Sequence, residues 1–138
     1  DGFFSSDEQQ DSWDETASMC KSVSTQILEI VAPLGGAPSG FTPKYMIRNI
    51  LTAKRGLTQE LIDVLLEMRN GATGLQPSIL KPFGSSQRVR VTGAFDNLED
   101  VSAALDNQNP ASQKRRAEMI DLTDSNFRTI SRIHYLHI

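Results

Sequence analysis

The chain is short of cysteine, of aromatic residues and of any long apolar run, and each shortage removes a class of protein. A single cysteine, Cys20, excludes an internal disulfide framework and any zinc site built from several thiolates. No apolar stretch is long enough to cross a bilayer as a helix, which leaves peripheral association with a membrane through a partner open. Aromatic residues make up 7% and all hydrophobic residues 38% of the chain, which is low for a chain that folds throughout and points to extended or disordered parts. The 138 residues suit one domain, large enough to bury a core without covalent staples. Because residue 1 is Asp and not Met, the chain reads as a processed or trimmed one from which any targeting segment is gone, and its compartment stays unassigned.

The net charge of -3 hides an asymmetry. Asp1, Asp7, Glu8, Asp11, Asp14 and Glu15 are not answered by any Lys or Arg before residue 21, whereas the remainder is mildly basic. Residues 1–12 therefore read as an extended acidic arm, with Phe3 and Phe4 as two apolar groups for docking on a partner. The plainer reading of the same stretch is a frayed terminus.

Residues 13–138 read as one all-α, bundle-like domain of five to six helices. At its centre lies a helical hairpin over 43–70. Thr42 and Pro43 open the first helix; Met46, Ile47, Ile50 and Leu51 recur at helical spacing; Arg55-Gly56 turns the chain. Thr58 then caps a second helix carrying Leu61, Ile62, Val64, Leu65, Leu66 and Met68, which ends at Asn70-Gly71. Before the hairpin, Trp13, Ala17, Cys20, Ser24, Ile27 and Val31 step alternately by four and three, predicting a long amphipathic helix with Cys20 in the core. Gly35 and Gly40 have the spacing of a phosphate loop but lack its lysine and its preceding strand, so this stretch reads as a connection. Residues 71–95 are broken by Gly and Pro; within them Arg88–Thr92 alternate like a short strand, but unless Ile79-Leu80 pairs with it in one small hairpin the segment reads as an ordered loop crossing the bundle, pinned by Leu75, Ile79, Leu80 and Phe83. Asp96-x-x-Glu99 and Asn109-Pro110 each open a helix, and Thr123 or Asp124 opens a last one carrying Phe127, Ile130 and Ile133.

Residues that carry chemistry are scattered. Glu60, Asp63 and Glu67 lie on one stripe of the second hairpin helix, and Lys114, Arg115 and Arg116 form the densest basic run. Together with Phe3, Phe4, Arg88 and Arg90 they are candidate contacts to other protein subunits. His134 and His137 are three apart, but no third ligand stands near them in sequence, so no metal and no cofactor is assigned. No acid, base and nucleophile can be nominated together, which leads to a non-enzymatic interaction module or a small peripheral subunit of a larger assembly. The alternative is a winged-helix-like nucleic-acid binder using the 43–70 helix-turn-helix, with Lys44, Arg48, Lys54, Arg55 and Gln59 as its contacts. The carboxylates on the would-be recognition helix speak against it, so nucleic acid is the less favoured partner.

Overall fold

The computed structural model describes residues 7–85, 87–107 and 109–134. Its elements run α1 (Asp7–Ser18), β1 (Leu28–Ala32), β2 (Tyr45–Ala53), α2 (Thr58–Asn70), β3 (Ser78–Pro82), β4 (Arg88–Phe95), α3 (Leu98–Leu105), α4 (Pro110–Asp121) and β5 (Thr123–Arg132). The strands form one antiparallel sheet in the order β1-β3-β4-β2-β5. From β2 onward this is the βαββαβ arrangement of ferredoxin-like folds, in which each helical crossover skips the strand between its neighbours. β1 adds an edge strand. The all-α expectation is thus overturned.

The decisive difference lies at residues 45–53, where a strand stands in place of the first hairpin helix. Met46, Ile47, Ile50 and Leu51 satisfy helical spacing, yet the same residues also suit a central strand with both faces partly covered. Ile47, Leu51 and Ala53 point into the core while Met46, Arg48, Ile50 and Thr52 point the other way. Pairing decides between the two readings: β2 is bonded to β4 on one side and β5 on the other along almost its whole length. The expected last helix is β5, a run in which Thr123, Thr129 and Ile130 favour extended backbone. The expected long helix from Trp13 stops at Ser18, and Ile27 and Cys20 beyond it are exposed. Cys20 is therefore not a core residue. At the other end, residues 7–12 are helical and not an extended arm, while Phe3 and Phe4 lie outside the described residues.

Several local readings hold. Gly56 turns the chain into α2 at φ +83°, though Leu57 and not Thr58 occupies the cap position. The alternating run Arg88–Thr92, which the sequence left between a strand and an ordered loop, is a strand, and Ile79 and Leu80 pair with Val91 and Arg90. Asn109 accepts from the Ala111 N–H ahead of Pro110, while α3 is capped one residue later than expected, by Asn97 accepting from the Asp100 N–H at 2.8 Å.

The core lies between one face of the sheet and α2. Leu61, Ile62 and Leu65 of α2 meet Leu51 and Ala53 of β2, Ile79 of β3, Val89 of β4 and Ala32 of β1, with Met119 and Leu122 closing from α4. Arg69 ties the end of α2 to the neighbouring loops, donating from Nε to the Pro77 carbonyl at 3.0 Å and from Nη2 to the Pro33 carbonyl at 2.8 Å. Beside it, Gly36 sits at φ +70° with the Gly74 carbonyl oxygen 2.2 Å from where a Cβ would stand.

Leu65→Ala removes a buried side chain from this cluster and should cost roughly 2–5 kcal/mol, read from the midpoint of urea unfolding. Exposed Glu60→Gln should leave that midpoint almost unmoved, and equal effects would contradict the placement of the core. A second pair separates crowding from backbone strain. Gly40→Ala, at φ +77° in open space, should cost about 1–2 kcal/mol; Gly36→Ala should cost clearly more, because the Gly74 backbone must also move.

Candidate functional site

A five-stranded sheet has two faces, and the helices of the core cover one of them. The other is composed from the strand residues that alternate with the core positions, and the register aligns them in rows across the sheet. One row runs Ile30 (β1), Leu80 (β3), Arg90 (β4), Ile50 (β2) and Phe127 (β5). The next runs Ser78, Thr92, Arg48 and Thr129. Met46 and Ala94 follow beyond it. Ile30 and Phe127, at the two ends of the first row, are 65% and 62% exposed, a large apolar exposure for residues in regular strands.

Two arginines occupy the middle of this face. Arg48 and Arg90 lie diagonally across the β2–β4 pair, a placement that brings long side chains within reach of each other. Their polar contacts are neutral: Arg90 Nη2 donates to Gln26 Oε1 at 3.1 Å and Arg48 Nη2 approaches Met46 Sδ at 3.4 Å. The Nε atoms of both are shut off from solvent without a hydrogen-bond partner. Burial, and then the neighbouring positive charge of Arg48, hold the Arg90 pKa below the usual guanidinium range. Among the described residues the ion pairs belong to Arg115, so neither central arginine has a carboxylate beside it.

The other sequence candidates are dispersed. Glu67 and Arg115, each expected to meet a partner, meet one another at 2.6 Å, joining α2 to α4. Arg115 also donates to Glu118 at 2.9 Å; that hydrogen bond, with the charges of Glu118 and Glu67, raises the Arg115 pKa. Asp63 accepts from Gln59 at 3.0 Å on an exposed stretch of α2, beside exposed Glu60. Lys114 is exposed and Arg116 half-buried on α4, whereas exposed Arg88, opposite Thr52 and two residues before Arg90, lies on the open face at the start of β4. Because β2 is a strand, the helix-turn-helix that would have aligned Lys44, Arg48, Lys54, Arg55 and Gln59 is not formed. Arg55 and Gln59 instead line a shallow depression of about 470 Å³ with Gly56, Thr58 and Gln87. Exposed His134 is described and His137 is not; among the described residues no three His, Cys, Asp or Glu side chains are grouped to hold a metal ion, and no helix is long and apolar enough to cross a membrane. Ile30, Ile50, Leu80 and Phe127 were not singled out as a surface by the sequence. A period-two reading of Met46–Ala53 separates Arg48 and Ile50 from Ile47 and Leu51, but nothing local shows which face is covered.

Two solved structures share this fold. A proposed antibiotic biosynthesis monooxygenase from Chloroflexus aurantiacus aligns with a TM-score of 0.51 at 20% sequence identity, over 66% of this chain and 95% of its own. A proposed monooxygenase from Fusobacterium nucleatum aligns with a TM-score of 0.66 at 6% identity, over 92% of this chain and 63% of its own. At such identities the likeness is one of fold. No family model and no curated protein matches the sequence. The neighbours agree with the α+β sheet and not with a helical bundle, and since both carry enzyme names the non-enzymatic reading is withdrawn.

If the row ending in Ile30 and Phe127 is surface and not core, Ile30→Ser and Phe127→Ser should each shift the stability of the isolated chain by less than about 1 kcal/mol in urea unfolding. Losses as large as that of Leu65→Ala would show that this face is already filled.

Proposed function

We propose that the chain is a subunit of monooxygenase-like fold that works within a protein assembly, joined to its partner through the open face of the sheet. The observation that supports this reading is the apolar row Ile30, Leu80, Ile50 and Phe127, set around two arginines that have no acidic partner among the described residues. Exposed apolar rows of this kind are rare on monomers. Covering what is still exposed of Ile30 and Phe127 would contribute roughly 1–2 kcal/mol each. Unpaired guanidiniums among them favour a partner surface that brings carboxylates, because bidentate pairing satisfies donors that water no longer reaches.

A second reading concerns chemistry and is supported by the names of the two structural neighbours: oxidation of a small organic substrate. A shared fold hosts many unrelated activities, so this reading needs its own test. Oxygen consumption by the purified chain with a panel of small organic substrates tests it directly; a rate no higher than that without protein would remove it and leave the assembly reading standing.

For the assembly, Ile30→Asp combined with Phe127→Asp should leave the circular dichroism spectrum intact and strongly weaken association, measured as mass by sedimentation equilibrium or as co-purification from the native source. A folded double variant that associates as the unaltered chain does would sink the open-face interface.

A further inference from the structure

The open face carries cations without acids, and the N-terminal helix carries acids without cations. We propose that Arg48 and Arg90 form a carboxylate-binding site at the centre of the open face, and that its ligand is the acidic helix α1 of the same chain. This rests on the reading of that face as a docking surface; in the structure α1 is largely exposed and the face stands open, with Ile30 and Phe127 65% and 62% exposed, and the proposal adds a docked state of α1 that competes with a partner.

The cationic half is built. Arg48 and Arg90 lie in adjacent rows on one face, each with an Nε cut off from water and unbonded, and their polar contacts go to a thioether and an amide. Two neighbouring guanidiniums in such a setting repel one another, and a carboxylate between them both offsets the repulsion and accepts paired N–H bonds. The acidic half is complementary. On α1, Asp7, Asp11 and Asp14 recur at steps of four and three and so share one stripe, with Trp13 and Ala17 on a stripe about a quarter-turn away. A helix lying on the face therefore presents carboxylates to the arginines and an indole to the apolar row together. Trp13 is 44% exposed in the structure, and Asp11 and Asp14 are on the exposed surface.

Connectivity brings the two halves together. The side chain of Gln26 bonds Arg90, so the chain upstream of β1 starts from the open face. Residues 19–25, extended, reach about 25 Å. The 12 residues of α1 span about 18 Å, and five strands spaced at about 4.8 Å make a face about 19 Å across, so the helix fits the width of the sheet.

The chain contains one tryptophan, Trp13, so its fluorescence reports the position of α1 without interference. In the full chain, Asp11→Asn with Asp14→Asn, both exposed and without consequence for the core, should shift Trp13 emission to the red and increase its quenching by acrylamide. Arg48→Gln with Arg90→Gln should do the same, and so should raised salt on the unaltered chain. Losing two such charge pairs should lower the docked-to-free ratio by on the order of tenfold. Trp13 equally quenched in every variant and at every salt concentration would overturn the proposal. Quenching that falls as protein concentration rises would assign the helix to a second copy and overturn docking within one chain. Mass measured on the same samples separates the two readings: Trp13 responding while Ile30→Asp with Phe127→Asp leaves association unchanged supports the helix site and counts against the interface, whereas association lost with Trp13 unresponsive does the reverse.

Discussion

The structure depends on β2, the strand that lies between β4 and β5 and faces α2. Its backbone groups are committed to neighbours on both sides, and its inward residues Leu51 and Ala53 are closed over by Leu61, Ile62 and Leu65. A strand bonded along both edges cannot slip by one residue without moving every side chain to the opposite face. Arg48 and Ile50 are therefore held outward by the same packing that holds Ile47 and Leu51 inward.

That commitment has a cost on the second face. With the core helices on one side of the sheet, the alternation of the strands delivers apolar and cationic side chains to a side those helices do not cover. Antiparallel sheets often present such a side to water, but then it is polar. Here the row from Ile30 to Phe127 is apolar except for Arg90, and the polar residues of the next row are mostly Ser and Thr, which pack as readily as they hydrate. The charge distribution runs the same way. Acids in the helix layer are partly satisfied internally, Glu67 and Glu118 by Arg115, while among the described residues Arg48 and Arg90 of the open face have no carboxylate and each keeps an unbonded Nε.

The fold is shared with proteins named as monooxygenases, and the fold alone is what they share with this chain. The case for assembly comes from the chain's own surface, and the case for oxidation comes from its neighbours. The two are compatible, since an enzyme subunit can also be a docking surface.

Much of the local structure was legible in the residues. Asn109-Pro110 capped α4 as read, Gly56 made the turn before α2, and Leu61, Ile62 and Leu65 of α2 were core, because a cap, a turn and an amphipathic helix are each set within a few positions, whereas the pairing of Arg88–Thr92 was left open. The acidic start and basic remainder were equally plain. What the residues left open was the state of 45–53 and 123–132, whose apolar spacing suits a helix or a two-faced strand alike. Only long-range pairing, β2 with β5 across some eighty positions of sequence, decided it in favour of the sheet. The same pairing created the open face, which no local pattern could reveal: Ile30, Leu80, Arg90, Ile50 and Phe127 are distant in the chain and become one row because five strands align them.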